Sequence, residues 1–313
     1  MVTIPTDVDQ ATLEIGDRKV ALTNLRKVYF PQLEITKGAL LQYYADVAAA
    51  LLPHIAARAM VMKRYPHGID GKFFYMKRAP APRPEWVRTC AITHGSGSVI
   101  HFPVVDDVAA LLWLVNLGCI DLHPWYGRCD AADRPDYLHF DLDPGTASWA
   151  QVCEATAIVR VRLESVGMKP VAKTSGSKGM HVYVPIERRL TQHEVWEVAR
   201  DIARELAGAH PKLLTAEYTI AKRPPGRVLV DYNQNAFGRT LASVYSVRPR
   251  AEATVSAPIT WREFEAGVAI DDFTMANMPA RIAKLGDLWA ANVPQSPDRF
   301  DLVNREWGRS PTS

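Results

Sequence analysis

The sequence predicts an α+β fold, and three observations carry that prediction. Between residues 120 and 250 the apolar spacing alternates between strand and helix periods in the order β, α, β, β, α, β, which resembles a split βαβ unit. Both helices of that run open on a capping box, Ser148-Trp-Ala-Gln151 and Thr191-Gln-His-Glu194; there a hydroxyl and the side chain three residues on satisfy each other's backbone N–H. The strand that starts the run stops at Pro144-Gly145, where the ladder cannot continue.

The elements follow in chain order. Thr36 can cap a helix to about residue 52, stopped by Pro53, whose ring and missing N–H break helix interiors. Residues 60–64 read as a strand, 66–71 as a turn and 72–77 as the returning strand of a hairpin. The Ala79-Pro-Ala-Pro-Arg-Pro84 run is a surface loop, since proline cannot pair in a central strand. Residues 99–103 form a strand, and Asp106 or Asp107 starts an apolar helix that Gly118 ends. Helices from Ser148 to about 167 and from Thr191 to about 208 flank strands at 170–173 and 181–185, with a Ser/Gly loop between those strands. A strand at 227–232 and a short helix from Thr260 follow, and the terminus from Pro294 is expected to be loose.

At 313 residues the chain exceeds the usual single-core size. Residues 1–295 are expected to form one domain, with a basic module at about 15–100, a second module at about 101–295 and a flexible tail at 296–313. Apolar content of 48% and charged content of 23% fit an ordinary soluble protein, and no apolar run reaches membrane-spanning length. The cysteines at 90, 119, 129 and 153 form no C-x-x-C and read as buried or free thiols of a reducing cytoplasm rather than a zinc site. Residues 18–88 carry 13 Lys and Arg against 4 acids, so the rest of the chain is net acidic despite the overall +3. A basic lobe of that kind suits a polyanion.

Residues 137–143 place Leu138, Phe140 and Leu142 toward a core and His139, Asp141 and Asp143 away from it. Two carboxylates one strand repeat apart repel each other unless a cation intervenes, and hard oxygen donors suit Mg²⁺ or Mn²⁺. The alternative is a strand-end turn with two solvated acids. Asp231, a carboxylate in an otherwise apolar strand, is costly unless paired or metal-bound and would complete a two-metal set. Lys173-Thr-Ser-Gly-Ser-Lys-Gly-Met-His181 is a Ser/Gly turn whose N–H groups, with Lys178, suit phosphate oxygens; it is not a P-loop, and a plain hairpin loop is the alternative. His123, just after a helix end, could meet a phosphate or cap the turn, and Arg248 could meet a triphosphate or a surface acid. Lys72-Phe-Phe-Tyr-Met-Lys77 interleaves cations with aromatics able to stack a base.

Together these motifs resemble the polymerase domain of the bacterial end-joining ligase D family, within the archaeo-eukaryotic primase superfamily. The matching pieces are Leu25-Arg-Lys-Val-Tyr-Phe-Pro31, Ile35-Thr-Lys-Gly38, Lys63-Arg-Tyr-Pro66, Phe74-Tyr-Met-Lys77, His123-Pro-Trp125, Asp141-Leu-Asp-Pro-Gly145, Thr174-Ser-Gly-Ser-Lys-Gly179 with His181, Asp231-Tyr-Asn-Gln-Asn235 and Ser246-Val-Arg-Pro249. The resemblance implies a primase-like fold, an RRM-like catalytic sheet packed with an N-terminal β/helical module. It implies metal binding by Asp141, Asp143 and Asp231, and nucleotide binding by His123, Ser175, Lys178, His181, Gln234 and Arg248. A DNA 5′-phosphate falls to Lys27, Lys37, Lys63 and Arg64, and template stacking to Phe74 and Tyr75. The family often has two Phe there, so Tyr75 departs from it.

The implied activity is template-directed addition of NTPs or dNTPs to DNA 3′ ends, for gap filling and double-strand break repair by non-homologous end joining, with primase activity as an extension. Two Mn²⁺ or Mg²⁺ ions, 5′-phosphorylated DNA, Ku, a DNA ligase and a cytoplasmic, nucleoid-associated location are the implied cofactors, partners and setting. With no room for a ligase or nuclease segment, the chain is expected to be an excised domain or a stand-alone member. The rival readings are a haloacid-type phosphatase with Asp141 as nucleophile, and a non-catalytic DNA-end-binding module.

Overall fold

The computed structural model describes residues 2–93, 95, 97–290 and 299–303. Most of the expected tail at 296–313 lies outside the described residues. The chain is mixed α and β, with six α-helices among the described residues. It divides into two compact units, one of Met1–Asp130, Thr240–Ala257 and Ala269–Asp287, the other of Ala131–Arg239, Pro258–Val268 and Leu288–Ser313.

The long helix of the first unit, Lys37–Ile55, starts where the Thr36 hydroxyl accepts from the Ala39 N–H at 3.2 Å. The expected stop at Pro53 is corrected: the proline lies inside the helix, which ends at Ile55. So near the end proline forfeits one bond, and the last turn still closes through Ala56 N–H to Leu52 O at 2.9 Å. This helix packs on Val108–Asn116, which is capped by the Asp107 carboxylate at 2.9 Å from Ala110 N–H. Leu40, Leu41 and Leu51 of one and Leu111, Leu112 and Leu114 of the other are fully buried.

A three-stranded antiparallel sheet orders Phe74–Met76, Met60–Arg64 and Cys119–Pro124. The expected hairpin is present, with Lys63 opposite Tyr75 and Arg64 opposite Phe74. The segment around Asp121 is not a turn after a helix but a strand buried along its whole length. Among the pairings that went unread are Gln10–Ile15 with Arg18–Thr23, Val28–Phe30 with Ile35–Thr36, and Thr89–Thr93 with Val99–Pro103. Gln10–Ile15 never becomes fully buried, so its alternation is faint. None of the four cysteines forms a disulfide.

In the second unit a six-stranded sheet runs Leu214–Thr215, Val228–Asp231, Tyr137–Asp143, Met180–Pro185, Val171–Thr174, Pro258–Ile259. Its four central strands lie in the spatial order fourth, first, third, second, the split βαβ arrangement. Helices Trp149–Ser165 and Gln192–Ala209 make the two crossovers and pack on the sheet. Both capping boxes form as spaced in the sequence. Leu138, Phe140 and Leu142 are completely buried, as are Val152, Val159 and Leu163 of the first helix. His139 shares the face of Asp141 but is completely buried rather than outward. Tyr183, directly opposite it, stacks on its ring at 5.0 Å and is itself packed against Trp289. No described helix is long and apolar enough to cross a membrane.

Candidate active site

Strand register builds the acidic site. Asp141 pairs with His181 on one side and Asp231 on the other, and His181 pairs with Lys173. Directly opposed residues project from one sheet face, so Lys173, His181, Asp141 and Asp231 form a single row across four strands. Asp143, two residues beyond Asp141, emerges on the same face. A one-residue slip would turn the whole set into the core.

Hydrogen bonds then orient the row. Lys173, itself buried, places Nζ 2.7 Å from His181 Nδ1, and His181 Nε2 lies 3.3 Å from Asp141 Oδ1. An ammonium only donates, so Nδ1 accepts and the neutral ring carries its proton on Nε2, facing the carboxylate. Asp231 accepts from the Asn233 N–H at 2.8 Å and from Gln234 Nε2 at 3.0 Å. Burial, with Asp141 opposite, nevertheless pushes its carboxyl above the ordinary range. Asp143 accepts from the Gly145 N–H at 3.1 Å and meets Arg223 Nη1 at 3.4 Å.

The Ser/Gly turn is tight. Ser175 Oγ accepts from the N–H groups of Ser177, Lys178 and Gly179 at 3.1, 3.2 and 3.0 Å. Those donors, expected to face a phosphate, are therefore gathered around the serine hydroxyl, while Lys178 is exposed. Gly179 has a steric reason: a Cβ there would stand 2.1 Å from Leu142 O, on the strand that carries Asp141 and Asp143. Only glycine lets the two backbones approach this closely.

Among the described residues no three carboxylate, imidazole or thiol groups converge into a ready metal cage. The chemistry of the donor set still fits a divalent cation. Three hard carboxylates share one face, and burial, then the directly opposed Asp141, raises the Asp231 carboxyl. Asp141, Asp143 and Asp231 are the residues that could hold such an ion.

The first unit holds the remaining candidates in two groups. Lys27 Nζ donates to Pro66 O at 2.8 Å, Lys37 Nζ to Thr23 O at 2.6 Å and Arg64 Nε to Leu117 O at 2.7 Å. Burial, then Lys27 and Arg64, draw the Lys37 ammonium down to about 8, against an opposing pull from Asp9. Lys63, adjacent to Arg64 on the strand, points to the other face. It joins His123 and Arg248 around the buried Asp121 carboxylate. Phe74 and Tyr75 are 44% and 56% exposed and also lie on opposite faces. Arg64 covers the Phe74 ring at 5.2 Å, and Tyr75 meets Phe73 and His123 edge-on at 5.9 and 6.2 Å.

Sequence reasoning missed Lys173, Arg223 and Asp121, the carboxylate that gathers its candidates Lys63, His123 and Arg248. Lys173 opens the Ser/Gly motif, and its strand phase matches that of His181 across the turn. Arg223 sits in the basic Lys222-Arg-Pro-Pro-Gly226 turn before the Asp231 strand, a signal that could have been read.

The family model of the LigD primase-polymerase domain matches residues 36–289. The multifunctional non-homologous end joining DNA repair protein LigD of Mycobacterium tuberculosis is 34% identical over 282 residues, covering 87% of this chain and 37% of that protein. The bifunctional non-homologous end joining protein LigD of Bacillus subtilis is 32% identical over 270 residues, covering 86% of this chain and 43% of that protein. This chain therefore spans well under half the length of these relatives. The polymerase domain of Mycobacterium tuberculosis ligase D, solved in complex with DNA, is similar in structure with a TM-score of 0.83 at 33% identity, over 89% of this chain and 99% of that one.

Proposed function

The chain belongs to the LigD primase-polymerase domain family, and from that premise we propose that it adds NTPs or dNTPs to DNA 3′ ends on a template, filling gaps at breaks joined without homology, with primase activity as an extension. Residues 1–295 act as the polymerase domain. The observation that carries this reading is the row that sets Asp141 opposite Asp231, with Asp143 on the same face beside the Ser175–Gly179 turn.

Asp141, Asp143 and Asp231 would hold two divalent ions, Mn²⁺ or Mg²⁺. When bound, these supply Lewis-acid activation of the primer 3′-OH and neutralise charge on the leaving pyrophosphate. The protein's own groups do the rest. Lys173 fixes the His181 ring so that Nε2–H faces Asp141, and Gln234 steadies Asp231. Nucleotide binding falls to His123, Ser175, Lys178, His181, Gln234 and Arg248. Lys27, Lys37 and Arg64, gathered by their carbonyl contacts, favour a DNA 5′-phosphate; Lys63, which the resemblance places with them, points to the other face of its strand and lies against Asp121. Phe74 and Tyr75 present exposed rings for the template. Ku and a DNA ligase are the partners this activity calls for, in a cytoplasmic, nucleoid-associated setting.

The test is extension of a primer on a gapped, 5′-phosphorylated duplex with each NTP or dNTP supplied alone. Templated addition that requires Mn²⁺ or Mg²⁺ supports the reading. Tight binding to the duplex without any addition would leave a DNA-end-binding module, and a trapped acyl-phosphate on Asp141 would restore the phosphatase reading.

A further inference from the structure

Asp121 is completely buried, yet it is surrounded by more positive charge than it can neutralise. Lys63 Nζ and Arg248 Nε each lie 3.5 Å from Oδ2, and His123 Nε2 lies 3.1 Å from Oδ1. Although burial acts to raise it, Arg248, His123 and Lys63 hold the carboxyl well below the usual range. The cluster rests on stiff backbone. Lys63 and Asp121 are direct cross-strand partners. Ser246 Oγ accepts from the Leu122 N–H at 2.9 Å, the Ser243 N–H donates to Leu122 O at 2.8 Å, and the Arg248 N–H donates to Thr254 O at 2.7 Å.

Stability alone does not explain this arrangement. A buried ion cluster is commonly no more stable than a packed apolar one. One carboxylate facing two permanent cations leaves a positive remainder, which is suited to a second anion. His123 Nδ1 is buried and makes no hydrogen bond among the described residues.

We propose that Asp121 is a positioning residue for the nucleotide, a fixed internal anion that keeps Lys63, His123 and Arg248 aligned to receive a polyphosphate. The proposal rests on the assignment of His123 and Arg248 to nucleotide binding. It adds Lys63 to that group by geometry, since Lys63 points away from Arg64. A polyphosphate would meet cations already turned toward one point, so less side-chain entropy is lost on binding.

The experiment compares Asp121→Asn, Arg248→Met and the double variant in the full chain. Tripolyphosphate binding is followed by calorimetry, and steady-state kinetics are measured with NTP. Asp121→Asn is expected to raise the KM for NTP tenfold or more with kcat changed less than threefold. Tripolyphosphate affinity should fall in step, with duplex DNA affinity unchanged. Because Asp121 acts partly through Arg248, its loss should cost less in the Arg248→Met background than in the parent, so the double variant should bind tripolyphosphate more tightly than the product of the two single losses. Multiplying effects would overturn the proposal, as would an Asp121→Asn variant that binds tripolyphosphate like the parent while Arg248→Met does not. If Arg248→Met is itself without effect, the nucleotide assignment falls and the proposal with it. Should Asp121→Asn fail to fold, Lys63→Met keeps the buried acid paired with Arg248 and His123; unchanged tripolyphosphate affinity there would also overturn the proposal.

Discussion

The acidic row of the second unit and the cationic group of the first place like charges in different ways. Asp141 and Asp231 are set by strand register, so the backbone ladder holds them opposite each other whatever their charge. Lys27, Lys37 and Arg64 come from separate elements, and each is tied to a backbone carbonyl through a long side chain. In both groups burial first, and then a neighbouring like charge, disfavours the ionised form: the Asp231 carboxyl is raised and the Lys37 ammonium lowered. Register cannot relax, whereas long side chains can. A sheet row therefore suits a centre that must stay fixed, and carbonyl-tethered lysines suit a surface that meets variable DNA ends.

The largest effect should come from breaking the row. Asp141→Ala or Asp143→Ala should remove several kcal/mol of transition-state stabilisation, about 10³-fold or more in rate for about 4 kcal/mol. The fold should survive, as circular dichroism would show. Loss of folded structure in either variant would mean that the acids serve packing, and the contrast between the two regions would collapse.

A smaller effect is expected at the cations assigned to nucleotide. Lys178→Ala and Arg248→Met should each weaken NTP binding by about 1.5–3 kcal/mol, the range for a hydrogen bond to a charged group, and leave duplex binding nearly unchanged. Filter-binding affinities for duplex and calorimetric affinities for NTP, measured side by side, check the split; equal losses in both would erase it.

The tethered cations give a third test. Lys27→Ala/Lys37→Ala should abolish the preference for 5′-phosphorylated over hydroxyl ends while general duplex binding persists. Because Lys37 is drawn down to about 8, it is charged below that pH and loses its charge above it. The parent's preference should therefore fall as pH rises from 7 to 9, and it should shrink with salt. Paired affinities at each pH decide this, and a flat profile would remove Lys37 from the phosphate contact.

The smallest effect sharpens the comparison through stability. The folded-state pKa of Asp231 is raised above its unfolded value. Its carboxyl thus favours folding at pH below the unfolded pKa and loses that contribution as pH rises through the folded pKa. In metal-free protein, Asp231→Asn should melt above the parent at pH 7, and the gap should close toward pH 3. Thermal melts at both pH values, with chelator present, would show it. A lower melting temperature at pH 7 would mean that the bonds from Asn233 and Gln234 outweigh the repulsion from Asp141.

Much of this was readable from local chemistry. Ser148 with Gln151 and Thr191 with Glu194 announced two helices because a capping box needs only residues three apart. Pro144-Gly145 ended its strand for equally local reasons. Other features depend on distant neighbours. Pro53 looks like a helix stop, yet it is tolerated in the last turn. The Gln10–Ile15 hairpin hides because its strand is only half covered. His139 alternates outward with Asp141, but Tyr183 from another strand buries it.

By itself, then, the sequence determined the order of the main elements from Tyr137 to Asp231, the outward phase of Asp141 and Asp143, and the basic character of residues 18–88, since each depends on spacing and composition along one stretch of chain. Tertiary structure alone decided that Lys173, His181, Asp141 and Asp231 form one row, that Lys63 parts from Arg64, and that Asp121 gathers Lys63, His123 and Arg248. These are cross-strand and long-range pairings. Their partners are tens of residues apart, and only the closing of the sheet, with its register set by buried side chains, brings them within a few ångströms.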